Sequence, residues 1–133
     1  MNYESENEII RLVLVDDHLL FRQSLKSMLS ECDGFQVVGE SGDGRKGLQM
    51  IQTLRPRVAI LDITMPSISG IELAGMVHDT DPDICILILS MHDNVSYAFE
   101  AFKAGCRGYV LKSDSRDDLF CSYTESRQGG KLS

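Results

Sequence analysis

Four of the five short apolar runs in this sequence end on a residue able to do chemistry. Asp16 and Asp17 follow Ile9–Val15, Asp62 follows Val58–Leu61, Ser90 follows Ile84–Leu89 and Lys112 follows Gly108–Leu111. Two carboxylates about 5 Å apart repel by roughly 3 kcal/mol at an effective dielectric near 20. Three of them brought together therefore call for a divalent cation. All-oxygen ligands with room for water favour Mg²⁺, with Mn²⁺ as a substitute. A polar residue at any one strand end is explained by solvent alone. The set is not, provided the fold brings those ends to one rim.

The elements that must do so are legible from periodicity. Ile9–Val15 is β-rich and too short for a helix, and Phe21, Leu25, Met28 and Leu29 then form one helical stripe. An Asp33-Gly34 turn introduces a second strand, Phe35–Gly39. Leu48, Ile51 and Leu54 mark a helix over Gly44–Leu54 that Pro56 stops. Val58–Leu61 is a third strand, and a loop shaped by Pro66 and Gly70 leads into a short helix through Leu73, Ala74 and Val77. Ile84–Leu89 is almost continuously apolar, as a strand buried on both faces of a parallel sheet must be. Val95–Ala104 reads as a fourth helix stopped by Gly105, Gly108–Leu111 as a fifth strand, and Ser115–Gln128 as a last helix ended by Gly129-Gly130.

Five βα units predict an α/β domain over residues 9–128, with a parallel sheet and helices on both faces. The flavodoxin-like, doubly wound (βα)5 layout with strand order 2-1-3-4-5 suits that count. It puts the ligand site at the carboxyl ends of strands 1 and 3, where Asp16, Asp17 and Asp62 stand.

Composition narrows the function. A chain of 133 residues that is 43% hydrophobic and 25% charged supports one core. Thirteen Lys and Arg against twenty Asp and Glu leave a net charge of −7, which opposes a direct grip on nucleic-acid phosphates. No apolar run approaches the ~20 residues of a membrane span, and the polar lead-in Met1–Glu8 does not read as a signal peptide. Cys32, Cys85, Cys106 and Cys121 lack short pair spacing and read as reduced thiols of a cytoplasmic protein. A flavin phosphate would need backbone donors after strand 1, where Asp16-Asp17-His18 would repel it. Gly39, Gly42 and Gly44 have the wrong spacing for a dinucleotide fingerprint.

Val13–His18 (VLVDDH), Leu61–Leu73 (LDITMPSISGIEL), ILSMHD in the Leu87–Asp93 region and Ala104–Lys112 (AGCRGYVLK) together resemble the receiver domain of bacterial two-component response regulators. The resemblance spans roughly Ile10 to Arg127. The GCRGYVLK ending and His18 resemble the branch that carries a LuxR-type helix-turn-helix output domain.

The resemblance implies that Asp62 is the phosphoacceptor, taking its phosphoryl group from a sensor histidine kinase. It implies one Mg²⁺ held directly by Asp17, Asp62 and the Thr64 backbone carbonyl, with Asp16 acting through water. It makes Lys112 the partner of a phosphoryl oxygen, and Ser90 with Tyr109 a switch pair. The face made by the fourth helix, fifth strand and fifth helix becomes a candidate output or dimer surface, with self-association on phosphorylation. His18 is expected at a helix start and not on a metal, and Phe99 and Phe102 in ordinary helix packing.

Departures from the family pattern are Ser113 after Lys112, where many receivers have Pro, and the bulky Met91 after Ser90, which would narrow access for small phosphodonors. Two rivals remain. A degenerate receiver acting as a protein-interaction module would lack a carboxylate or the Lys. An aspartyl-nucleophile phosphohydrolase would show D-x-D at strand 1 and a cap domain. Residues 129–133 resemble the start of a linker, so contact with DNA is expected only through a C-terminal domain beyond Ser133, and no contact with membrane is expected.

Overall fold

The computed structural model describes residues 9–91 and 95–114. The expected last helix, the polar lead-in, Cys121 and the linker-like residues 129–133 lie outside them. The strands are β1 (Ile10–Val15), β2 (Phe35–Ser41), β3 (Val58–Asp62), β4 (Cys85–Ser90) and β5 (Gly108–Leu111). Between them run α1 (Leu19–Ser30), α2 (Gly44–Leu54), α3 (Gly70–Thr80) and α4 (Val95–Lys103), and a short 3-10 turn, Lys112–Asp114, follows β5. The sheet is fully parallel in the order β2-β1-β3-β4-β5, the flavodoxin-like order expected.

Strict alternation along the central strands builds two cores, one on each face. Val13, Val15, Ala59, Leu61, Ile86 and Ile88 face α2 and α3, packing on Ile51, Leu73, Ala74 and Val77. Leu12, Leu14, Val58, Ile60, Leu87 and Leu89 point the other way and pack on Leu25 and Leu29 of α1. Each strand therefore needs apolar residues at every position, which is why Ile84–Leu89 reads as a continuous run. The edge strand β2, paired to β1, is only half-buried and admits Glu40 and Ser41, so it runs two residues past the expected Gly39.

The connections explain where helices begin and end. The β3–α3 loop enters its helix through a capping box, Glu72 N–H donating to Ser69 Oγ at 3.1 Å and Ser69 N–H to Glu72 Oε1 at 3.2 Å. Asp43 caps α2 by accepting from Arg45 N–H at 2.8 Å, and also accepts from Ser67 Oγ at 2.8 Å, tying α2 to that same loop. Pro56 denies Arg55 the right-handed helical region, and Arg55 ends α2 left-handed at φ 49°. Gly105, at φ 108°, ends α4 over the His78 ring, where a side chain would be both strained and crowded.

Candidate functional site

The strand ends deliver the acidic residues to one crevice. Asp16 follows β1 with its N–H donating to Ser41 O at 2.9 Å, which carries the ladder one residue past the strand. Asp62 is the last residue of β3, and Ile63 N–H holds Leu89 O at 3.0 Å, fixing Asp62 beside β4. Ser90 ends β4 opposite Leu111, so the residue after Leu111, Lys112, emerges on the same rim. Gly70 is required here by close approach. A Cβ at that position would stand 2.2 Å from Asp62 O, so only glycine lets α3 start directly beneath the acidic strand end.

Asp16, Asp62 and Ser90 are buried, at 3%, 2% and 0% exposure, whereas Asp17 is partly open to solvent. His18 N–H donates to Asp16 Oδ1 at 2.8 Å, and an Arg22 Nη1 contact to Asp16 O clamps the turn from the other side. The Thr64 N–H lies 3.5 Å from Asp62 Oδ1. Lys112 Nζ stands 3.0 Å from Asp16 Oδ2 and 3.5 Å from Asp62 Oδ2, with the Phe21 ring 4.7 Å away as a roof.

Burial pushes the Asp62 carboxyl up to about 6, helped by the nearby Asp16 charge and by hydrogen bonding with the Asp17 carboxyl. The Lys112 ammonium and the Thr64 amide oppose that rise without cancelling it. Asp16 Oδ2 and Asp62 Oδ2 are buried and accept no hydrogen bond of normal geometry, although both face the Lys112 ammonium. Asp16, Asp17, His18 and Asp62 each offer one ligand atom within 4.8 Å of the others. Under-satisfied buried oxygens in a carboxylate-rich crevice fit a hard divalent cation.

Of the residues the sequence singles out, Asp16, Asp17, Asp62 and Lys112 are brought together, and Ser90 sits at the end of the neighbouring strand. Thr64 is exposed in the β3–α3 loop, two residues beyond Asp62. Tyr109 lies two residues before that rim, opposite Ile88, and packs partly buried against the core on the α2–α3 face. His18 stands at the N-cap of α1, the helix start expected of it, and its side chain makes no cap but reaches into the crevice, with Nδ1 2.7 Å from Lys112 Nζ. The signal was its spacing: two residues past Asp16, a chain turning off a strand end points back over the same crevice. Phe21 follows one helical turn later on the same side. His18, Phe21, Met91, Lys112 and Ser113 line a cavity of about 490 Å³ beside the acidic residues. Met91, at that cavity's edge, is exposed.

A doubly wound sheet with acidic residues, a lysine and a buried serine at its switch point is a flavodoxin-like signalling or ligand-binding architecture whose acidic crevice could bind a metal ion. Sequence and structure comparisons give that architecture its family. The sequence matches the response regulator receiver domain family over residues 12–123. It is 35% identical over 130 residues to the transcriptional regulatory protein DegU of Brevibacillus brevis, covering 98% of this chain and 55% of DegU. It is 33% identical over 122 residues to the transcriptional regulatory protein NarL of Mycobacterium tuberculosis, covering 92% of this chain and 56% of NarL. The solved signal receiver domain of M. tuberculosis NarL superposes with a TM-score of 0.85 at 33% identity, covering 92% of this chain and 98% of that one. A LuxR-family two-component response regulator from Aurantimonas also gives a TM-score of 0.85, at 30% identity, covering 92% of this chain and 87% of that one.

The chain belongs to the response regulator receiver domain family, and its relatives are response regulators of the LuxR family. It is thus a signalling domain of two-component type. The chain spans about half the length of the curated relatives it matches.

Proposed function

We propose that this receiver works as a Mg²⁺-dependent phosphoacceptor switch, with Asp62 accepting a phosphoryl group from the phosphohistidine of a sensor histidine kinase. The observation that carries this reading is the convergence of Asp62 with Asp16, Asp17 and Lys112 at the β1/β3 switch point. In the transfer, an Asp62 carboxylate oxygen bonds to phosphorus while the phosphorus–nitrogen bond breaks. The electron pair returns to the donor imidazole.

Asp17, Asp62 and the Thr64 carbonyl would hold the cation directly, and Asp16 through water. Mg²⁺ there supplies positive charge against the charge gathering on the transferring oxygens. Lys112, which faces Asp16 and Asp62, turns to a phosphoryl oxygen once one is present. Ser90 donates to the phosphoryl group, and Tyr109 moves inward as Ser90 shifts.

In this reading the chain is a cytoplasmic signalling phosphoacceptor and not a turnover enzyme. Phosphorylation strengthens self-association, and DNA is reached through a separate output domain like those of transcriptional regulators. The charge of −7 supports leaving DNA to such a domain, and no described helix is long and apolar enough to cross a membrane.

Intact-mass measurement after incubation with a cognate kinase or acetyl phosphate, with and without Mg²⁺, tests the proposal. One added phosphoryl group, dependent on Mg²⁺ and absent in Asp62→Asn, is the expected result. Turnover of the donor without label would favour a phosphohydrolase. No label from any kinase would favour a degenerate interaction module.

A further inference from the structure

His18 is the polar residue of the crevice that the phosphoacceptor reading leaves without a role. Its Nδ1 lies 3.4 Å from Asp16 Oδ1, 3.8 Å from Asp17 Oδ1 and 3.8 Å from Asp62 Oδ2. A cation with bonds of about 2.1 Å in octahedral geometry sets adjacent ligand atoms about 3 Å apart and opposite ones about 4.2 Å apart. All three separations fall between those limits. One ion held by Asp17 and Asp62 could therefore also touch Nδ1, with Asp16 still reaching it through water.

The tautomer suits ligation as well. Lys112 Nζ, 2.7 Å from Nδ1, is an ammonium and has protons only to give. Nδ1 must then be the accepting nitrogen, so its lone pair already points into the crevice. A second observation is independent of the imidazole. Asp16 Oδ2 and Asp62 Oδ2, on side chains 4% and 3% exposed, are buried there facing the Lys112 ammonium at 3.0 and 3.5 Å but accepting no hydrogen bond of normal geometry.

We propose that His18 supplies a nitrogen ligand to the divalent cation of this site, converting an all-oxygen site into a mixed one that favours first-row transition cations over Mg²⁺. The proposal rests on the cation site described above and adds to it one donor and a selectivity. Imidazole suits Mn²⁺, Co²⁺ and Ni²⁺ increasingly along the divalent series, whereas Mg²⁺ prefers oxygen. The side chain is about half exposed, so it can swing between Lys112 and a cation without unpacking the core. Because one lone pair cannot serve both, binding through His18 frees Lys112 from the imidazole. Lys112 then has a proton available for another acceptor.

The test uses the whole chain with the metals alone. Calorimetric titration with Ni²⁺ and with Mg²⁺ is run on the native protein, on His18→Ala, on His18→Asn and on Asp17→Ala. Pulsed electron paramagnetic resonance is run on the Mn²⁺-loaded native and His18→Ala proteins. The expected result is at least a tenfold loss of Ni²⁺ affinity in both His18 variants with Mg²⁺ affinity changed less than threefold. A nitrogen-14 coupling on Mn²⁺ should be present in the native protein and gone from His18→Ala. Equal loss for Ni²⁺ and Mg²⁺ would mean that His18 only positions Lys112, and would overturn the proposal. Unchanged Ni²⁺ affinity, or Mn²⁺ bound without nitrogen coupling, would overturn it too. Asp17→Ala separates the two readings: if it weakens Mg²⁺ while the His18 variants weaken nothing, the cation site stands and the imidazole ligand falls. If Asp17→Ala leaves Mg²⁺ untouched, the cation site itself is wrong.

Discussion

Neutralising the buried carboxyl of Asp62 is expected to stabilise the metal-free protein. Asp62 is held at about 6, against an ordinary value of 3.8, by burial and by its acidic neighbours. Its charged form is therefore less favourable in the folded chain than in the unfolded one. A shift of about two units at 1.36 kcal/mol per unit opposes folding by about 3 kcal/mol where the group is fully ionised. Asp62→Asn removes that charge at nearly constant shape but also takes one acceptor from Lys112, so the expected net gain is about 1–2 kcal/mol. At roughly 4 °C per kcal/mol for a domain of this size, Tm rises by about 4–8 °C at pH 8 in a chelator. The sign fixes the pH window. Below about pH 3.8 the native carboxyl is protonated in both states and the two proteins match. The gap opens as pH rises above about 3.8, where the unfolded chain ionises first, and is complete above about 6. Mg²⁺ should then reverse the order, raising the Tm of the native protein more than that of Asp62→Asn. Thermal and urea unfolding across pH 4 to 8 measure this. A metal-free Asp62→Asn less stable than the native protein at pH 8, or a gain that ignores pH, would refute the reasoning.

Gly70→Ala should cost about 2–3 kcal/mol, because its methyl would overlap the Asp62 carbonyl and the Ile63 Cα. In the same helix Gly75→Ala, which meets nothing within 4 Å, should stabilise by about 0.5–1 kcal/mol; urea unfolding of the pair checks both. Asp17→Ala should weaken Mg²⁺ binding more than tenfold, a loss of about 1.4 kcal/mol or more, read by calorimetric titration. Glu40 is held below its ordinary 4.5 chiefly by the Lys26 hydrogen bond at 2.6 Å and also by Arg22 at 2.9 Å. Glu40→Gln should therefore destabilise at pH 7 by less than about 1 kcal/mol, and the difference should vanish as pH falls below about 4.5. Lys112→Met should destabilise the metal-free protein at pH 8 yet bind Mg²⁺ at least fivefold more tightly, as unfolding and titration would show.

The sheet order was legible because each strand writes its own burial into the sequence. Cys85–Ser90 is apolar at every position but the last, since its alternate residues enter opposite cores. The site was legible because that geometry puts strand ends, and little else, at the switch point. Asp16, Asp62, Ser90 and Lys112 needed only the strand order to be brought to one rim. What escaped depends on loop paths. The strand β2 runs on to Ser41 because an edge strand tolerates Glu40 and Ser41, which composition reads as a strand's end. His18 escaped because an N-cap position predicts a side chain turned to its own helix, whereas this one finds Lys112. The contact of Gly70 with the Asp62 carbonyl depends on how a seven-residue loop closes, which no periodicity encodes.

The charges of the crevice explain why it is poised rather than simply stable. Three carboxylates against one ammonium leave two formal negative charges, the amount one divalent cation neutralises. Among the described residues Lys112 is the only lysine or arginine side chain paired with these carboxylates: its ammonium donates to Asp16 Oδ1 at 3.2 Å, stands 2.7 Å from His18 Nδ1 and faces Asp62 Oδ2 at 3.5 Å. An ammonium so committed offers nothing to an incoming group unless an acceptor is taken from it. A cation on the carboxylates does that, since it competes for the same oxygens that Lys112 holds. Lys112 and the cation are thus rivals before any phosphoryl group arrives. Removing the ammonium should therefore tighten cation binding even as it weakens the metal-free fold. Metal loading and release of the lysine are one equilibrium, set by the burial of Asp16 and Asp62 at the ends of two adjacent strands.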